Sequence, residues 1–139
     1  MRNEILAGCL AALVAPASAS NRAELAGTFY YVPSSLEGEQ ICFYPAPRDQ
    51  QPVLHMIGMT EEQYGHEVWF CFKNTSAAAN LLGIPLKLPS NICGWRGQAR
   101  VSISDYTVNV EQNDASDLAR LESVIAVHKR QPITQCDEE

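Results

Sequence analysis

Apolar residues fall in short alternating runs along most of this chain, separated by polar and proline-containing breaks. A period of two places apolar side chains on one face of a strand. Residues 27–32, GTFYYV, are rich in aromatic and β-branched side chains and predict a strand that ends at Pro33. Glu37-Gly38-Glu39 marks a turn, and residues 40–44 predict a second strand, stopped by Pro45 and Pro47. Residues 53–58 predict a short third strand. Residues 67–73, EVWFCFK, carry the strongest strand signal. Val68, Phe70 and Phe72 share one face, and Trp69 and Cys71 share the other. With both faces apolar, this strand is expected to be central in the sheet.

The pattern then changes to NTSAAANLLGIP. Asn74, Thr75 or Ser76 can cap a helix, the alanines favour one, and Gly83 with Pro85 ends it, so a helix over 76–82 is predicted. The Asn74-Thr75-Ser76 sequon is read as this cap. Residues 98–110 predict a strand with a change of phase. Val101 and Ile103 point one way, whereas Tyr106, Val108 and Val110 have the opposite parity. A bulge or bend near Ser104-Asp105 restores one face, and small barrels use such bends to close. Residues 119–128 predict a last strand, with Ala119, Leu121, Ser123, Ile125 and Val127 on one face. A helical stripe through Leu118, Leu121 and Ile125 is the rival reading, and the alternation favours the strand. The turn-like Asn113-Asp114-Ala115-Ser116 joins the two strands into a long hairpin. The order of meander strands, short helix and long hairpin resembles that of an OB-type barrel, with its helix between the third and fourth core strands. The expected fold is mainly β: a small, disulfide-stapled antiparallel β-barrel, OB-like, with one short helix. That fold hosts unrelated functions.

The first residues follow neither period. LAGC, ending at Cys9, spells a bacterial lipidation signal, but it leaves only residues 5–8 as the apolar stretch. Cleavage after Ala19 leaves residues 5–14, followed by Pro16 and the small-x-small site Ala17-Ser18-Ala19, with Arg2 supplying the positive start. Residues 1–19 are therefore read as a cleaved signal peptide of a bacterial type, and residues 20–139 as a single exported domain, periplasmic or secreted. No other stretch approaches the roughly 20 apolar residues of a membrane span. No membrane insertion is expected after cleavage.

Export gives the cysteines a meaning. Of five, removal of Cys9 leaves Cys42, Cys71, Cys93 and Cys136, an even count that suggests two disulfides. In a hairpin the paired residue numbers sum to a near-constant value. A turn centred near Ala115 sets Cys93 opposite Cys136 and leaves Cys42 to pair with Cys71. Close C-x-x-C pairs, which zinc sites favour, are missing. The formal charge of -6 lacks the basic footprint that phosphate backbones require, so nucleic acid is not an expected partner.

Three groups of residues carry candidate chemistry. Trp95 sits in Cys93-Gly94-Trp95-Arg96-Gly97, with Arg100 close behind. An aromatic between glycines, read as a loop and flanked by two cations, suits a partner-binding anchor or a platform for a sugar ring, since Trp and Arg are enriched at interface hot spots. Packing over the end of the barrel is the competing role for Trp95. His55, Met56, Met59 and His66, with Trp69 nearby, combine thioether and imidazole ligands that suit Cu(I). These residue types resemble those of the periplasmic copper-chaperone family, which is OB-folded and binds copper with His, two Met and a nearby Trp. That family alternates its methionines on one strand, whereas here a strand would set Met56 and Met59 on opposite faces unless Gly58 bends the chain. Finally, Glu61-Glu62 and His66-Glu67 can in principle do acid–base work, but no nucleophile elbow, phosphate loop or HExxH motif accompanies them. The expected function is a non-catalytic binding module without a cofactor, engaging a protein partner in the manner of an inhibitor or immunity protein. A Cu(I) carrier and a His/Glu hydrolase are the alternatives.

Overall fold

Strand β1 (Arg22–Tyr31) buries Leu25, Phe29 and Tyr31 and turns Tyr30 outward. The computed structural model describes residues 21–34, 38–111 and 115–136. The expected signal peptide with Cys9, Glu37 of the first turn, and Asn113 and Asp114 of the hairpin turn lie outside the described residues. β1 pairs antiparallel with β2 (Ile41–Pro45) on one side and with β4 (Gly94–Thr107) on the other. β3 (Phe70–Phe72) continues the sheet from β2, and β5 (Asp117–Ile133) lies between β3 and β4. The five strands thus close in a ring, in the order β1-β2-β3-β5-β4. Phe29, Phe43, Phe70, Val101, Ile103 and Leu121 belong to the core cluster.

Three findings correct the sequence reading. The ring is not wholly antiparallel, because β3 and β5 run parallel. β3 is followed by a crossover that includes a helix, and such a connection, unlike a tight turn, allows parallel pairing. Residues 53–58 are not a strand: helix α1 (Gln50–Ile57) takes their place. A proline-initiated 3-10 turn at Pro47–Asp49 feeds this helix, and Gly58 ends it in the left-handed region, at φ 70°. A short apolar run does not distinguish strand from buried helix by periodicity, and here Val53 and Leu54 are buried as part of a helical stripe. There is also more than one helix. α2 (Glu61–Tyr64) is a single turn held by a capping box between Thr60 and Gln63, and α3 (Thr75–Leu82) is the helix expected from the alanine run.

β4 and β5 form the expected hairpin, with its irregularities in informative places. The register shifts between Ser104 and Thr107, and Asp105 takes φ 53°, where the phase change in the sequence asks for a bend. A further shift between Arg100 and Val101 falls where Ala126 and Val124 are the partners, so that Ile125 is skipped. Another shift, between Ser102 and Ile103, skips Glu122. It moves the inward phase from Ala119 and Leu121 to Val124, and the skip at Ile125 moves it back to Val127. The expected single face from Ala119 to Val127 is therefore broken at Ser123 and Ile125, which are exposed. Both disulfides pair as expected: Cys42 with Cys71, Cα atoms 3.8 Å apart, and Cys93 with Cys136, 5.7 Å apart. The second closes the open end of the hairpin, next to the Cys93 N–H bond to the carbonyl of Ile133.

Candidate functional site: an aromatic face and its cleft

Alternation along β1 and β2 sends Phe29, Tyr31, Ile41 and Phe43 inward, which leaves Tyr30 and Tyr44 on the outer surface. Trp69 precedes β3 with the same parity as Cys71. Cys42 and Cys71 are directly paired across β2 and β3, so extending that antiparallel register sets Tyr44 opposite Trp69. Their rings are stacked, with centroids 5.3 Å apart and planes within 3°. Tyr30 meets Tyr44 edge to face at 5.6 Å. The result is a row of three aromatics running across one outer face. The Cys42–Cys71 bridge fixes the register on which the row depends, since a slip of one residue would invert the faces.

Two clefts adjoin the row. One, of about 710 Å³, runs over Tyr30, Val32, Gln40, Tyr44 and Leu118. The other, of about 670 Å³, is bounded by Met59, Gln63, Tyr64 and His66 on one side and by residues 108–111 on the other. Trp69, Ala115 and Ser116 line both. The His66 ring lies on that of Tyr64, centroids 3.9 Å apart.

Asp117, the first residue of β5, also lines the second of these clefts, and its side chain is buried. Burial of a carboxylate is costly unless hydrogen bonds compensate it. Here the Tyr64 and Tyr106 hydroxyls both donate to Oδ2, the latter over 2.7 Å, and the Asn109 N–H donates to Oδ1 over 2.7 Å. One carboxylate thereby ties α2, the end of β4 and the segment that follows it. Burial, and next the hydrogen bond with Asp117, push the Tyr64 hydroxyl well above the ordinary tyrosine range. Burial does the same to Tyr106, reinforced by its bonds with Tyr64 and Asp117. Among the described residues Asp117 has no ion-pair partner.

The residues expected from the sequence are scattered around this arrangement. Trp95 is not on a loop: it lies in β4, between Tyr31 and Pro132, and packs partly buried on the core. Its indole N–H is buried without an acceptor among the described residues. Arg96 is exposed, and Arg100 is ion-paired with Glu24 at 2.7 Å. Of the candidate copper ligands, Met59 and His66 line the same cleft as Trp69. Met56 lies at a different opening with Ile57 and Tyr106, and His55 is exposed on α1. Glu61 and Glu62 are exposed in the single turn of α2, and Glu67 is exposed beyond it.

Tyr30, Tyr44, Tyr64, Tyr106 and Asp117 are the residues that the sequence reading missed. Tyr30 and Tyr44 had a usable signal, as large aromatics in the outward phase of strands whose inward phase was already filled. Asp117 had none, because its partners are 53 and 11 residues away. Comparison of the chain with protein-family models, with curated proteins and with solved structures finds no match.

Proposed function

We propose that this chain is an exported, non-catalytic binding module that engages a protein partner through the outer face bearing Tyr30, Tyr44 and Trp69. The observation that carries this reading is the aromatic row itself. Tyr30 and Tyr44 are 37% and 41% exposed, although neighbouring aromatics of the same strands are fully buried. Aromatics held rigidly at a surface give large contact area at low entropic cost, and they dominate interface energetics. Strand order supports an OB-type fold as well: the ring runs β1-β2-β3-β5-β4, β3 and β5 are parallel, and α3 lies between β3 and β4. OB-type barrels bind through the face around strands two and three, which is where the row stands. Two disulfides suit an oxidising compartment.

The Trp95, Arg96 and Arg100 surface is the weaker anchor, since Trp95 is engaged with the core and Arg100 with Glu24. A Cu(I) carrier is the second reading, favoured by Met59, His66 and Trp69 sharing one cleft. The test is affinity capture from the native compartment with both disulfides intact. Capture by wild type and by Arg96→Ala/Arg100→Ala should be equal, and Tyr44→Ala/Trp69→Ala should lose the same protein. Loss only with the arginine variant would return the site to β4. Loss with neither would remove both faces.

A further inference from the structure

We infer that the cleft beside Trp69 receives a lysine or arginine side chain of the protein partner. This rests on the partner-binding reading of the adjacent aromatic row, and it names the chemistry that the partner must present. The cleft is lined by three aromatic residues, Tyr64, His66 and Trp69. One face of Trp69 is taken by Tyr44 in the stack, so its other face is the one left for the cleft. Aromatic faces attract cations, most strongly where water is displaced.

Charge points the same way. Asp117 lies at the cleft, buried and without a counter-cation among the described residues, and Glu111 lies at its rim. Among the described residues, no lysine or arginine lines this cleft or the neighbouring one. The closest basic residues along β3 and β5 are already committed: Lys73 to Asp105 at 2.9 Å, and Arg120 to Glu122 at 3.3 Å. The three donors to Asp117 are neutral hydroxyls and a backbone amide. They satisfy its hydrogen bonding without cancelling its charge. In a site partly shielded from water, that charge acts over a longer distance than on open surface. An anionic side chain would meet the charge of Asp117, and a purely apolar one would leave that charge uncompensated.

The test uses isotopically labelled protein with both disulfides intact, titrated with N-acetyl-lysine methylamide and with its uncharged isostere N-acetyl-norleucine methylamide. The lysine amide should shift the Trp69 indole and the Asn109 and Ser116 amides, and the norleucine amide should not. Trp69→Leu, followed through Asn109 and Ser116, should weaken binding about tenfold. Glu111→Gln should weaken it less, and Arg100→Ala should leave it unchanged. Equal responses to the two amides, or none to either, would overturn the inference. So would tighter binding of free choline than of the lysine amide, which would make the ligand a small ammonium compound. A response to Cu(I) alone would transfer the cleft to the metal reading. If the lysine amide binds as expected but Tyr44→Ala/Trp69→Ala still captures the partner, the cleft chemistry stands and the aromatic row is not the docking face.

Discussion

Trp69 and Trp95, the two tryptophans of the chain, stand in opposite roles. Trp95 has the more suggestive surroundings, a glycine on either side and arginines close by, yet it is packed against the core from within β4. Trp69 sits in an apolar run that suggests burial, yet it stacks on Tyr44 at the junction of two clefts. The glycines near Trp95 do not mark a loop. A Cβ on Gly97 would lie 2.7 Å from the Phe29 ring, so glycine there admits a core aromatic. Gly94 similarly admits the backbone of Tyr31. Residue types around a tryptophan therefore say less about its role than its strand parity and what fills the opposite face.

The largest effect expected from breaking this contrast comes from the bridges. They span 29 and 43 residues, so chain entropy makes them nearly equal, at about 3–4 kcal/mol each. Their local effects should differ. Cys42→Ser/Cys71→Ser should loosen the Tyr44–Trp69 stack, seen as a changed near-ultraviolet circular dichroism of the folded protein. Cys93→Ser/Cys136→Ser should lower the Tm by a similar amount and leave that stack intact. Equal spectral changes in both would remove the link between the first bridge and the aromatic row.

The tryptophans themselves come next. Trp95→Ala should cost about 2–3 kcal/mol in denaturant unfolding, less than a fully buried aromatic because Trp95 is only partly enclosed. Trp95→Phe removes the unpartnered N–H along with some contact area and should cost less than about 1 kcal/mol. Trp69→Ala, losing a stacking partner at the surface, should cost about 1 kcal/mol. A reversed order would mean that Trp69 is the structural residue of the pair.

Asp117→Asn is expected to cost about 2 kcal/mol, since an amide replaces one acceptor oxygen opposite two hydroxyl donors. It should also weaken any cation held in the cleft. The smallest effect is in alkali. Tyr64 and Tyr106 are raised in the folded state above the ordinary 10.0. Below pH 10 both states keep these hydroxyls protonated, and their contribution to stability is fully present. Above it the unfolded chain ionises first, so stability should fall as pH rises towards the folded-state values. Phenolate absorbance should show these two tyrosines titrating only as the protein unfolds. Ionisation near pH 10 without unfolding would place them in water.

Much of the ring was legible because period two is a local signal. Phe29 and Tyr31, Ile41 and Phe43, and Phe70 and Phe72 all point inward as their parity requires. The α3 helix followed from an equally local argument, whereas the disulfides followed from the hairpin register and elimination among four cysteines. Where reading failed, the deciding contact was tertiary or the segment too short. Helix α1 was hidden in an apolar run that fits either period. The capping box at Thr60 and Gln63 was present but encloses a single turn. In β5 the skipped Ile125 is fixed by pairing with β4, which no pattern within β5 records. For the site, the parity of Trp69 was right, but an outward apolar face was taken for a second buried one. The junction at Asp117 joins three distant segments, so no local pattern announces it.

The central claim is that binding belongs to the Trp69 face and not to the Trp95 face. Calorimetric titration of the captured partner against purified variants tests it most directly. Trp69→Ala should weaken binding at least about tenfold, while Arg96→Ala/Arg100→Ala should bind as wild type does. A partner that binds Trp69→Ala at wild-type affinity, and loses affinity for the arginine variant, would contradict the account.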